Sequence, residues 1–330
     1  MNRSPRHRKS GIPISASSGN SRVLTLFFTA KPFQGANGLA QERAISSWLA
    51  IDPKPEILLM GRGPGYEQVV EKFGLRHLPD IATNQRGLPL MDAMFEAAQL
   101  TAANGLLCYV NADILFFGDI NNAVRTLASE KRKFLAIGPC WTIDYRAGKL
   151  PDPGTPGWEE TLRSQAIPPT RNGRNLVGID YFLFRAGTLT DLPPFMHSGA
   201  GWSLGWDNRI IHFARSRGHI VIDTTTAITA MHQEHGAGEA EQAGWRLQWV
   251  SPEELFSIAD ATHLLGAGRV RRSTRVHNLW RLFYTMFVLH KSLRFLKPVV
   301  DTLLKLTHPV RKRCGVTVAA MAGIRRNKQA

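Results

Sequence analysis

The chain has 330 residues, 43% apolar and 20% charged, which excludes wholesale disorder and allows one large domain or two modest ones. Its net charge of +15 sits at the ends: residues 1–22 hold five Lys/Arg and no acid, and residues 269–330 hold fifteen against the single acid Asp301, so 21 basic and 25 acidic residues remain between them. A slightly acidic body disfavours nucleic acid as the main ligand and assigns the basicity to anchoring or nonspecific association. Three widely spaced cysteines, Cys108, Cys140 and Cys314, with no CxxC pair, fit a reducing, cytoplasmic compartment and speak against cysteine chemistry.

Residues 1–22, rich in Ser, Arg, Gly and Pro, lack the apolar core of a secretory signal and read as a disordered basic leader. Val23–Thr29 reads as a first strand, Leu39–Leu49 as a helix with Ala44, Ile45, Trp48 and Leu49 on one face, and Glu56–Met60 as a second strand. That β-α-β start favours a parallel sheet. A short helix is expected over Tyr66–Phe73, a longer one over Leu88–Ala103, a central strand over Leu106–Val110, a helix over Asn121–Lys131 and a strand over Phe134–Gly138. Residues Tyr145–Arg174, dense in Pro, Gly and charge, read as a long loop that covers a site or links domains. NLVGIDYFLFRAGTL alternates like a strand leaving the sheet, the glycine-rich HSGAGWSLGWDN feeds a helix from Asp207 to Ser216, and His219–Thr224 and Ala227–Met231 close the core at MHQEH. No apolar run approaches the ~20 residues that cross a bilayer.

The most informative stretch is LLCYVNADILFF, residues 106–117, which sets Asn111 and Asp113 where an apolar strand leaves the core. Ligands bind at that edge of α/β sheets, and an oxygen ligand there can hold a divalent cation against a diphosphate. The same residues also suit a turn at the strand's end. Asp207, at a loop-to-helix corner beside a glycine-rich segment, is the candidate general base, with helix capping as the competing use of its carboxylate. Trp202 and Trp206 are candidates to stack on a sugar face, and Trp206 equally suits the core. GRGPG at 61–65 lacks the Lys-Ser/Thr of a P-loop and reads as a tight turn.

Taken in order, the early β-α-β unit, YVNADILF, GIDYFLF, GWDN opening a helix and a strand ending in MHQEH resemble nucleotide-sugar-dependent glycosyltransferases of the GT-A fold, over about residues 23–235. The resemblance implies a mixed, mostly parallel α/β sheet flanked by helices and an activity that moves a sugar from a nucleotide-diphosphate donor to an acceptor hydroxyl. By position it implies that Asp113 stands at the second acid of the DxD element that binds Mn2+ or Mg2+, Asn111 at the first, and His232 at a later metal ligand. Asn for Asp removes one negative charge and should weaken metal binding. It further implies nucleotide contacts from Thr29, Ala30, Lys31, Gly61, Arg62 and Arg86, and an acceptor side lined by Asp180.

Three segments are thus expected: a leader over 1–22, a catalytic body over 23–268 and a basic helical extension over 269–330. Within the last, Leu279, Leu282, Phe283, Met286, Phe287 and Leu293 recur at helical spacing among Arg281, Lys291, Arg294 and Lys297. Such a helix either lies on an anionic membrane surface, making the protein peripheral there, or docks on the body or a partner. The competing function class is a non-catalytic sugar-nucleotide-binding scaffold attached to membrane or nucleic acid by its basic ends.

Overall fold

The computed structural model describes residues 23–85, 87–144, 150–169, 179–193, 206–234 and 260–273. The leader, Arg86, Trp202, His235 and the amphipathic stretch after residue 273 lie outside the described residues.

The first half builds as the apolar pattern dictates: β1 (Leu24–Phe28), α1 (Gly35–Leu49), β2 (Glu56–Met60), α2 (Tyr66–Phe73), β3 (Arg76–Leu78), α3 (Met91–Thr101) and β4 (Leu106–Val110). Then follow β5 (Ile114–Phe116), α4 (Ile120–Ser129), β6 (Phe134–Ile137), β7 (Cys140–Asp144), α5 (Trp158–Gln165) and β8 (Tyr181–Arg185). The described chain ends with α6 (Trp206–Ser216), β9 (Ile220–Asp223), β10 (Ala230–Glu234), β11 (His263–Gly266) and β12 (Arg269–Arg272).

Nine strands form one sheet in the order β12-β11-β9-β6-β8-β4-β1-β2-β3, and β5-β10-β7 form a second, small sheet. In the large sheet β1, β2, β3 and β4 run parallel, as do β6, β9 and β11, while β8 is antiparallel to both β4 and β6. The expected mixed, mostly parallel sheet is therefore present. Strands buried on both faces explain the unbroken apolar runs. In β4, Leu106, Cys108 and Val110 join the core beneath α1, α2 and α4, whereas Leu107 and Tyr109 join the core beneath α3 and α6.

Three expectations need correction. The loop expected over Tyr145–Arg174 contains α5, an amphipathic helix of about two turns that buries Trp158 and Leu162 against Leu115 and Met231 of the small sheet and the adjoining Phe117. Its high polar content belongs to the outward face, which hid the helix. The strands β3, β5 and β7 were not expected, being short or split by polar residues. MHQEH does not close the core, because β11 pairs parallel with β9 and β12 returns antiparallel to β11. Residue 268 lies in the turn of that hairpin. No helix among the described residues is long and apolar enough to cross a membrane.

Candidate active site

Four chain segments meet where β4 ends. Pairing of Val110 with Tyr181 brings the start of β8 beside that exit, so Asn111 and Asp180 become neighbours across the strands. The Asn111 amide N–H donates to the Asp180 carbonyl (2.9 Å), and Asn111 Nδ2 donates to Asp180 Oδ1 (2.9 Å). Tyr109, pointing toward α6, sends its hydroxyl to Asn111 Oδ1 (2.9 Å). The asparagine thus reads both neighbours at once, a donor-plus-acceptor task that an aspartate could not perform beside a second carboxylate.

Asp113 sits in the turn between β4 and β5, and β10 pairs with β5 so that His232 lies opposite Ile114. His232 Nε2 is 3.3 Å from Asp113 Oδ2, with the side chains 32% and 19% exposed. Burial opposes charge on the imidazole, but the carboxylates of Asp113, Asp180 and Glu234 outweigh it and push its pKa up to about 9. His232 is therefore a cation at neutral pH.

Asp207 stands in the first turn of α6. What fixes that turn is Trp206, which is only 8% exposed and lies 5.2 Å, centroid to centroid, from both Tyr109 and Phe182. Those rings continue into Phe27, Phe95 and Phe184. Anchoring the helix start this way sets Asp207 beside the chain entering β8: its carboxylate accepts the N–H groups of Asn208 and Ile179. Burial, reinforced by the Asp180 charge, pushes its pKa up to about 6 despite those bonds. Asp180 is also raised, by burial first and then by Asp113, although His232 and hydrogen bonds from Cys140 and Asn111 pull the other way. A set of carboxylates whose environments push their pKa values upward is what proton transfer near neutrality requires.

Asp113, Asn111, Asp180, Asp207 and His232 thus converge, from five separate sequence positions. Trp206 does not join them as a sugar platform; it is core, because its ring fills the gap between β4, β8 and α6. Two contributors were not foreseen. Gln233, fully buried, donates through Nε2 to the carbonyls of Ala40 (2.8 Å) and Asp113 (3.1 Å) and accepts from Arg43 Nη1 (3.2 Å), clamping the Asp113 turn to α1. Cys140 donates its thiol to Asp180. The usable signal for Gln233 was the strand alternation within MHQEH, which points Gln233 inward whenever His232 points to the cleft.

The expected nucleotide half gathers around Tyr66, at the same strand ends. Its hydroxyl meets the Ala30 N–H (2.9 Å), the Ala30 carbonyl and the Thr29 side chain, and Gln41 ties both the N–H (2.8 Å) and the carbonyl (3.0 Å) of Lys31. Thr29 is buried, while Lys31 is exposed. Arg62 does not turn inward: it pairs with Asp80 at 2.7 Å on the surface, where the two side chains are 71% and 86% exposed.

The donor set fits a divalent cation in part. Two ligands at ~2.1 Å on adjacent corners of a coordination sphere lie ~3 Å apart, close to the separation of His232 Nε2 and Asp113 Oδ2. No group of three His, Cys, Asp or Glu side chains that could hold a metal occurs among the described residues. A pair of protein ligands with the remaining positions open is how Mg2+-type sites take substrate phosphates.

No protein-family model matches the chain, and no curated protein matches it. Solved structures to which it is similar include glucosyl-3-phosphoglycerate synthase from Mycobacterium tuberculosis in complex with Mn2+, UDP and glucosyl-3-phosphoglycerate. The identity is 12%, with 68% of this chain and 75% of that chain covered and a TM-score of 0.38. A second is a Bacillus anthracis protein assigned as a glucose-1-phosphate thymidylyltransferase, in complex with sucrose, at 10% identity, with 71% and 99% covered and a TM-score of 0.39. Function is therefore read from the chain's own residues.

Proposed function

We propose that this protein is a glycosyltransferase that moves a sugar from a nucleotide-diphosphate donor to an acceptor hydroxyl. The observation that carries the reading is the convergence of Asp113, His232, Asp180 and Asp207 at the strand ends, with the pKa values of Asp180, Asp207 and His232 raised. Asp113 and His232 are the residues that would hold a divalent cation, which when bound would neutralise the departing diphosphate. His232 gives up its proton to serve as ligand, so binding releases a proton.

Asp207 takes the proton of the acceptor hydroxyl as its oxygen bonds to the anomeric carbon and the carbon–phosphate oxygen bond breaks, its electrons leaving with the nucleoside diphosphate. A base on the acceptor side implies an inverting displacement. Asp180 positions Asn111, and its charge adds to the burial that raises the Asp207 pKa. Ala30 and Lys31 present a fixed backbone to the nucleotide.

Incubating the protein with a panel of nucleotide sugars, with and without Mn2+ or Mg2+, tests the reading. A metal-dependent donor hydrolysis that Asp113→Ala removes is expected; hydrolysis indifferent to metal and to that substitution would overturn it.

A further inference from the structure

The opposite ends of the strands carry a second chemical environment. Because β6, β9 and β11 run parallel to β4, their N-terminal ends lie on the far side of the sheet from Asp113. There a cavity of about 430 Å³ is lined by Arg132, Arg215, Gly218, His219, Ile220, Thr262, His263 and Arg272. Arg272 reaches it because β12 pairs Arg272 with His263 across the hairpin. Gly218 reaches it because α6 ends in a left-handed turn, φ 73°, with the His219 N–H returning to the Ala214 carbonyl.

Two of the three arginines have structural duties. Arg132 forks onto Glu130, Nε to Oε1 at 2.9 Å and Nη2 to Oε2 at 2.7 Å, and holds that carboxyl down at about 2. Arg215 stands in the last turn of α6, where a cation is favourable against the helix dipole, and donates to the Asp260 carbonyl. Neither duty consumes every donor of a guanidinium. Arg132 Nη1 also meets His263 Nε2 at 3.2 Å, and His263 Nδ1 meets Thr262 Oγ1 at 2.9 Å, so the imidazole is held in one orientation at the cavity wall. Arg272 is exposed and contributes charge to His263. Lys133 and Arg217 add charge beside His219. Three arginines thus line the cavity and two further cations act on His219 in its wall, on a body whose net charge is slightly negative.

We propose that this cavity is an anion site for a phosphate monoester, gripped by Arg132, Arg215 and Arg272. Guanidinium groups match phosphate oxygens in fork geometry, and three of them converging give a site that lysines on a flat surface would not. A phosphate monoester can come from a soluble phosphorylated metabolite or from the headgroup of an anionic lipid such as phosphatidic acid. The site stands apart from the Asp113 corner and does not depend on the transferase reading.

Thermal unfolding in sodium phosphate against sodium chloride at matched ionic strength, together with flotation on phosphatidic acid/phosphatidylcholine and pure phosphatidylcholine vesicles, tests this. The expected result is a rise in Tm with inorganic phosphate, flotation with phosphatidic acid, or both, with at least tenfold weaker binding in Arg272→Glu and no change in Asp113→Asn. Arg272 lies exposed on an edge strand, so the charge reversal leaves the fold intact, and an unchanged Tm in sodium chloride checks that. Phosphate protection alone identifies a soluble ligand; phosphatidic acid flotation lost in Arg272→Glu identifies the lipid. Absence of both effects, or effects that persist in Arg272→Glu, overturns the proposal.

Discussion

At one end of the central strands Asp113 pairs with His232 while Asp180 and Asp207 are held by neighbouring side-chain and backbone groups; at the other, three arginines line an open cavity, with Lys133 and Arg217 adding charge beside His219. The difference lies in what holds each charge. On the acidic edge every polar group is fixed by a strand or helix terminus: Asn111 by Asp180, Asp113 by Gln233, Asp207 by the aromatic anchor of Trp206. Such fixed dipoles and charges suit a reacting centre, where reorganisation is costly. On the basic edge the arginines line an open cavity on long stems, Arg132 and Arg215 tethered to Glu130 and the Asp260 carbonyl and Arg272 exposed, which suits binding rather than chemistry.

The comparison breaks most readily at Asp207. Asp207→Asn should lower transfer by ~10²–10⁴-fold, the range for a lost general base. In the wild type, the rate should climb as pH rises through about 6, where Asp207 loses its proton. Because the folded state raises this pKa above the usual 3.8, ionisation costs stability as pH passes from 3.8 through 6. The same substitution should therefore raise Tm at pH 8. A Tm that falls would make the carboxylate a helix cap alone.

Trp206→Ala should destabilise the fold by about 3–5 kcal/mol, the cost of emptying a large aromatic site, read by urea unfolding. A loss under about 1 kcal/mol would free the indole for the acceptor role. Gln233→Leu should cost about 1–3 kcal/mol through the unmet carbonyls of Ala40 and Asp113. It should also weaken Mn2+ binding, which calorimetry reads, because the Asp113 turn loses its clamp.

His232 sharpens the contrast through pH. Its folded pKa of about 9 lies above the ordinary 6.5, so its stabilisation is complete below pH 6.5 and is lost as pH rises through about 9. Unfolding midpoints of the metal-free protein should fall over that window in the wild type and stay flatter in His232→Gln; parallel curves would contradict the ion pair. Arg62→Ala should have the smallest effect, within about 1 kcal/mol by the same unfolding measurement, since both partners of its ion pair are exposed.

Much of the sheet was legible because its strands are buried on both faces: LTLFF, EILLM and LLCYV are predominantly apolar, and the polar Thr25 and Glu56 bond each other. The helices α2 and α6 were legible from a strongly one-sided apolar stripe. What sequence did not reveal depends on pairing. The hairpin of β11 and β12 reads RVRR on its outer strand, a pattern that no periodicity distinguishes from a solvated run. For the candidate site, Asn111, Asp113, Asp180 and Asp207 stand out in the sequence because they flank strand ends or open a helix, whereas His232 lies within β10 and stands out only as a polar residue in the MHQEH run. Trp206 was ambiguous because one side chain at a helix start can face a cleft or a core, and only the position of Tyr109 and Phe182 decides. For Gln233, alternation within MHQEH indicates an inward side chain, but its clamp on the carbonyls of Ala40 and Asp113 arises only from the packing of α1 against the small sheet.

The most direct test is the anomalous scattering of Mn2+ in crystals grown with a nucleoside diphosphate. The account predicts a peak ~2.2 Å from both Asp113 Oδ2 and His232 Nε2, with phosphate oxygens completing the coordination. A nucleotide bound elsewhere, or a metal that leaves the Asp113–His232 pair untouched, would contradict it.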